Sequence, residues 1–191
     1  MSSSKRYYEM YIDVHVPGQW TIRSPVNARG EKLIPWEFMQ GRSVHLEEEP
    51  FVPLFYPGLA LDYSESGRGI AVVSQRLAHL WTRLGFQKEV QLIPARVEGQ
   101  MERFFILNTL HVIRCVDEAR CQAVTFWEPQ HGNPEWIGQY RNVRGLKIDP
   151  MPVGDINIFR PWGWAIALIV SERVKLAMEE EGISGARFVE V

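Results

Sequence analysis

The chain has 191 residues, 46 % of them hydrophobic and 23 % charged, with a formal net charge of −2. That length fits a single domain, 1–191, able to bury a core of its own. The near-neutral balance and a pI of about 6.2 argue against non-specific nucleic-acid binding, which needs a basic face to displace counterions. They leave room for a basic protein partner.

Residues 1–5 read as a frayed end without the apolar stretch of a signal peptide. Trp164 to Val170, the longest apolar run, is far short of the ~20 residues that span a bilayer. Two cysteines, Cys115 and Cys121, fit free thiols in a reducing compartment. A soluble cytoplasmic protein is the expectation.

Tyr7 to Val14 is rich in aromatic and β-branched residues and predicts a first strand. From Pro17 to Gly58 prolines alternate with Trp20, Trp36, Phe38, Phe51, Phe55 and Tyr56. Proline excludes long helices and central strands. Short edge strands and turns pinned by buried aromatics are expected, with one better strand over Ser43 to Leu46. Residues 1–70 thus read as a Pro/aromatic-rich sub-region, and 71–191 as a helix–meander–helix–strand core.

Leu77, Leu80, Trp81 and Leu84 fall at i, i+3, i+4 and i+7, one apolar helical stripe. Ser74 is placed to cap it and Gly85 to stop it. A meander follows: a strand over Val90 to Val97, a turn at Glu98-Gly99-Gln100, and a long strand from Arg103 to Val116. Both faces of the long strand are apolar, as in a central strand covered on two sides. Shorter strands are expected over Gln122 to Trp127 and Tyr140 to Ile148, with Gly145 as a bulge. Between them Glu128 to Pro134 reads as an exposed loop.

Near the end, Ser171 caps a second helix with Val174, Ala177 and Met178 inward, closing at Gly182. Phe188 to Val191 read as a last strand. This unit faintly echoes the first: Val73-Ser74-Gln75-Arg76-Leu77 with Gly85 matches Val170-Ser171-Glu172-Arg173-Val174 with Gly182. Two helices that each need an apolar lead-in, a Ser cap and a Gly stop can arrive there independently. The fold class expected is α+β: an antiparallel β-meander covered by two short amphipathic helices, with the Pro/aromatic-rich sub-region of short strands and turns at the N-terminus.

The chemistry-bearing residues form no evident site. His111, Cys115 and Asp117 bring together a base, a thiol and a carboxylate, yet His111 and Cys115 stand ~13 Å apart along a strand. A hydrogen-bonded dyad needs ~3 Å. Cys115, Cys121, His111 and His131 lack the paired spacing of a zinc site. Glu65-Ser66-Gly67-Arg68-Gly69 lacks the Lys-Ser/Thr of a phosphate loop. Catalytic, cofactor and metal residues are therefore expected to be none. Glu179-Glu180-Glu181 sit in the last turn of the second helix, where negative charge opposes the macrodipole. A locally disfavoured choice of this kind suits a surface for a basic partner.

Phe159-Arg160, the apolar lead-in to Val170-Ser171-Glu172, the helix to Gly182 and Gly185-Ala186-Arg187-Phe188 resemble the C-terminal signature of immunity protein family eleven of bacterial polymorphic toxin systems. Tyr7-Tyr8-Glu9, Val90-Gln91-Leu92-Ile93-Pro94 and Ile113-Arg114-Cys115-Val116-Asp117 are similar to it as well. The likeness is strongest to the members abundant in myxobacteria. It implies a cytoplasmic, non-enzymatic bacterial protein, encoded beside a toxin that it binds and neutralises. No catalytic residues carry over. A basic nuclease is the toxin type that a mildly acidic inhibitor suits best. Candidate partner contacts are Glu47, Glu48, Glu49, Glu179, Glu180 and Glu181, with Trp136 as an aromatic anchor. No nucleic acid or membrane partner is expected. Two rival expectations are a thiol-dependent hydrolase using Cys115 and a small-ligand binding module in the N-terminal sub-region.

Overall fold

The computed structural model describes residues 5–67 and 69–191. Of the fray expected over residues 1–5, only Lys5 is described, and it is held, its ammonium donating to the Gly154 carbonyl at 2.9 Å. Residues 1–4 and Arg68 lie outside the described residues. Strand β1 (Tyr7–Ile12) comes first, followed by four short strands, β2 (Thr21–Ile22), β3 (Phe51–Val52), β4 (Leu54–Tyr56) and β5 (Tyr63–Glu65). Next are β6 (Ala71–Ser74), helix α1 (Gln75–Arg83), β7 (Val90–Val97), β8 (Phe104–Thr109) and β9 (Val112–Ile113). The last third holds β10 (Ala123–Phe126), β11 (Tyr140–Arg144), β12 (Ile158–Pro161), β13 (Ile169–Ser171), α2 (Glu172–Glu180) and β14 (Ala186–Glu190).

The fold is α+β, with the strands in mixed sheets that are mainly antiparallel. Sheet one has the order β14-β1-β13-β12-β9 and sheet two the order β3-β7-β8-β6-β5. In each, only the pairing of a two-residue edge strand (β9 with β12, β3 with β7) is parallel. Two-stranded ribbons, β2–β4 and β10–β11, lie outside them. β1 therefore does not join the strands next to it in sequence. It pairs with β13 and β14, at the far end of the chain.

The long strand expected from Arg103 to Val116 is broken, and the break joins the sheets. β8 pairs on both sides, with β7 and β6. After a last bond from Leu110 N–H to the Glu89 carbonyl, the chain leaves sheet two. Arg160 N–H then bonds the His111 carbonyl, and β9 lies beside β12 in sheet one. Apolar residues continue through the crossing because both sheets bury them, so the alternation carries no mark of the break. The Ser43–Leu46 strand is also absent. The Gln91 side chain takes both main-chain groups of Val44, at 2.9 and 2.8 Å, and Asn108 donates to the Arg42 carbonyl. Side-chain amides here stand where a ladder would be.

The central core lies between the sheets. It holds Tyr8, Met10, Ile158 and Val170 from sheet one, Tyr63, Val73 and Leu107 from sheet two, and Leu77, Trp81, Val174 and Met178 from the helices. The outer face of sheet two is covered by Trp20, Ile22, Phe38 and Leu61. Of the aromatics expected to pin this region, Trp20 and Phe38 are buried, while Trp36, Phe55 and Tyr56 are exposed. The outer face of sheet one is covered in part by Cys115, Leu146, Ile148 and Val153.

The echo between the two helical units extends well beyond the helices. Ser74 and Ser171 have the same cap geometry, φ −70, ψ 162 and φ −71, ψ 160, and accept from Leu77 and Val174 N–H. Each cap hydroxyl also donates to a side chain of the preceding strand unit, Ser74 to Asp62 at 2.6 Å and Ser171 to Asn157 at 2.8 Å. Ser74 pairs with Phe104 as Ser171 pairs with Tyr7. The Leu110–Glu89 main-chain bond has its counterpart in Asp13–Gly185. Hairpin β7–β8 thus corresponds to β14 and β1, whose strands lie at opposite ends of the chain. Similar capping needs alone do not account for a match of that extent.

Candidate partner-binding surface

Each expected contact residue sits in a different part of the fold. Glu47 and Glu48 line a shallow groove of ≈350 Å3 with Arg29, Glu31 and His45, and Glu49 lies 3.9 Å from Arg96. All three follow the Val44 segment that Gln91 holds against sheet two. Prolines and the absence of a ladder keep this stretch at the surface.

Glu179–Glu181 end α2, and here the structure answers the unfavourable dipole. Arg76, from α1, donates to the Glu181 carbonyl and at 3.2 Å to the Gly182 carbonyl. Arg83 pairs with the Glu181 carboxylate at 2.7 Å, and Lys175 with Glu179 at 2.7 Å. Within its own helix Glu181 has no cation at pairing distance. Its cation comes from the neighbouring one. Glu180 is exposed and forms no ion pair among the described residues. The reciprocal contact runs from Arg173 of α2 to the Leu84 carbonyl that ends α1, at 3.0 Å. The antiparallel helices cap one another.

Trp136 lies in a single 3-10 turn, Pro134–Trp136, within the connection from β10 to β11. It packs edge-on against Trp127 at 4.9 Å, and Trp127 in turn meets His131 at 5.8 Å. Arg141 stands 5.6 Å above Trp127 and 2.9 Å from His131 Nε2. Phe126 and Tyr140 stack at 5.2 Å. Trp136 is therefore one edge of an aromatic cluster on a two-stranded ribbon. The sequence signal was there in Phe126, Trp127 and His131, although the reading selected Trp136 alone. A ribbon of two strands has little stability of its own. This one is tied back by Tyr140 N–H on the Gly163 carbonyl at 3.1 Å. No hydrogen bond, ion pair or aromatic contact among the described residues joins the three candidate groups to one another.

The residues of the rival readings are engaged elsewhere. Cys115 is buried, and burial, with the Asp149 carboxylate adding to it, pushes its thiol up to about 12. Such a thiol stays protonated near neutral pH, the opposite of an activated nucleophile. Asp117 is bound by Arg120 at 2.6 Å, which holds its carboxyl below the ordinary range. Among the described residues no three His, Cys, Asp or Glu side chains converge on a metal position. The groove lined by Arg29 and His45 is open and mainly polar, with Leu33, Leu46 and Pro50 in its walls, and a smaller one runs along Trp20 and Ile22. Neither is the enclosed, mostly apolar pocket that small ligands use. Among the described residues no helix is long and apolar enough to cross a membrane.

These features define an α+β domain that offers a varied charged and aromatic surface on a doubled, well-packed frame. The chain belongs to the Immunity protein family (Imm11), whose sequence model matches residues 27–191. The match takes in both helices, the meander and the C-terminal signature. Tyr7-Tyr8-Glu9, part of the expected likeness, falls outside it. No curated relative matches the chain.

Proposed function

We propose that this protein binds a toxin domain encoded beside it and neutralises that toxin in the cytoplasm by steric occlusion, without catalysis of its own. Membership of the immunity family across residues 27–191 carries the reading. A net charge of −2 and exposed carboxylates suit a basic toxin, a nuclease being the class that fits, steered to its inhibitor electrostatically. The contacts we assign are Glu47, Glu48, Glu49, Glu179, Glu180 and Glu181, with Trp136 as an anchor that its edge contact with Trp127 already holds in place.

Co-expression with the toxin domain of the adjacent gene tests the reading. Cells should survive, and the two proteins should elute as one complex with a dissociation constant well below micromolar. Cell death without a complex refutes it. Changing Glu179, Glu180 and Glu181 together to Gln should leave stability within about 0.5 kcal/mol, because exposed ion pairs contribute little, and should weaken the complex. Unchanged affinity would remove these three from the interface.

A further inference from the structure

The correspondence between the two halves allows their outer faces to be compared position by position. In sheet two the cross-strand pair Ile93–Ile106 lies on the outer face and is 8 % and 0 % exposed, covered by the layer that contains Trp20, Ile22 and Val52. The corresponding pair in sheet one is Val189–Glu9, and among the described residues no comparable layer lies over it. Val189 is 45 % exposed, and beside it Ile166 is 63 % exposed. With Tyr11 and Trp164 they line a groove of ≈700 Å3 between β1–β14 and the stretch around Val143 and Lys147.

Glu9 is out of character for this floor. It is half-buried at a position where the other half of the molecule has isoleucine. Its carboxylate accepts a bond from Tyr11 and forms no ion pair among the described residues. Burial, and then the nearby Glu65 carboxylate, push its pKa above the ordinary value, against the hydrogen bond from Tyr11. Two cations that line the groove are committed elsewhere, Arg120 to Asp117 and the Ile148 carbonyl and Lys147 to the Glu190 carbonyl. Arg187, opposite Tyr11 on the same face, acts on the Tyr11 hydroxyl and forms no ion pair with Glu9. A half-buried carboxylate without a cation beside exposed apolar side chains is complementary to a basic side chain on an apolar segment.

We propose that this groove is the docking site for a segment of the toxin that places a Lys or Arg beside Glu9 and packs apolar side chains on Val189 and Ile166. The proposal rests on the toxin-binding reading above and gives it an interface that the acidic runs alone do not. The bound segment would cover on sheet one what the chain's own residues 20–52 cover on sheet two.

The test uses the full chain and the toxin domain of the adjacent gene, with affinity measured by calorimetry at two salt concentrations. Val189→Arg supplies an internal cation and fills the groove. Ile166→Glu removes an apolar contact at an exposed position. Each should weaken binding about tenfold or more. Glu9→Gln, a near-isosteric change that protects the test against misfolding of the others, should weaken binding about tenfold and flatten its salt dependence. If the unaltered protein binds and all three variants bind within about twofold of it, the groove is not the interface and the immunity reading stands. If the unaltered protein does not bind at all, both fail. A free protein that is dimeric by light scattering and is split by Val189→Arg would show a second copy in the groove and overturn the proposal.

Discussion

At Gly185 the molecule depends on the absence of a single carbon atom. The residue has φ +88, and a Cβ there would lie 2.2 Å from the Tyr63 carbonyl oxygen and 2.9 Å from Leu61 Cβ. Both the left-handed backbone and the contact exclude a side chain. Gly185→Ala should cost about 3 kcal/mol or more in denaturant unfolding, whereas alanine at Gly99, where a Cβ meets nothing within 4 Å, should cost much less. The two cysteines offer a second check. Cys115 is buried with its thiol pushed up to about 12, while Cys121 is half-exposed. Iodoacetamide should label Cys121 in the native protein and reach Cys115 only on unfolding. Fast labelling of native Cys115 would revive the hydrolase reading. Sequence reasoning was good at this scale where one residue has one local task, as with the Ser74 and Ser171 caps. It missed Arg160, which is fully buried and held by the carbonyls of Ala165 and Ile166. A charge of that kind is exposed by default, and only the path of the 162–168 turn brings the acceptors to it.

The elements show where local pattern stops informing. The apolar stripe of α1 was legible because a helix must bury one face, whatever it packs on. The partners of that face were not legible, nor was the exchange of caps between Arg76 and Arg173. The macrodipole argument at Glu179–Glu181 was sound for an isolated helix and incomplete for a pair. Arg76→Ala removes two carbonyl contacts and the ion pair with Asp62 at 3.1 Å and should cost about 1–2 kcal/mol. Arg173→Ala removes one carbonyl contact and the packing over Phe86 at 5.0 Å, and should cost about 0.5–1 kcal/mol. Since the two arginines bridge the same helix pair from opposite ends, the double variant tests coupling. A loss greater than the sum by more than ~0.5 kcal/mol would show that the caps act as one unit. The ribbon β10–β11 is the contrasting element, exposed along its length and tied down at few points. It is the part of the molecule best able to adjust on binding.

For the whole molecule, the expected single meander became two sheets because the strand run 103–116 crosses between them. The alternation that betrays a strand does not say which neighbours it will choose. Likewise the echo at Ser74 and Ser171 was too short in sequence to argue from, yet it marks a correspondence that runs through caps, strand pairs and main-chain bonds alike. The doubled frame also separates two kinds of surface. One outer face is closed by the chain itself, and the other is left partly open beside the exposed β10–β11 ribbon. The acidic runs were visible in the sequence because they are contiguous, whereas of the aromatic cluster, spread over residues 126–141, only Trp136 was singled out. The Val189–Glu9 opening was not, since its walls come from both ends of the chain and from β11.

The position of β1 has a consequence in time. It is made well before both strands that flank it, β13 and β14. Until they emerge from the ribosome, Tyr7–Ile12 has two open edges and no sheet to belong to. At roughly 5–20 residues per second that wait lasts about ten seconds or longer. Contacts of such long range also slow folding once the chain is complete. The sheet therefore cannot be finished piecemeal, and no fragment that lacks β1 or β14 can offer the Val189–Glu9 face. Under the proposed toxin-binding function, binding should track chains that have released β14 and not shorter nascent ones, so readiness depends on how early synthesis begins.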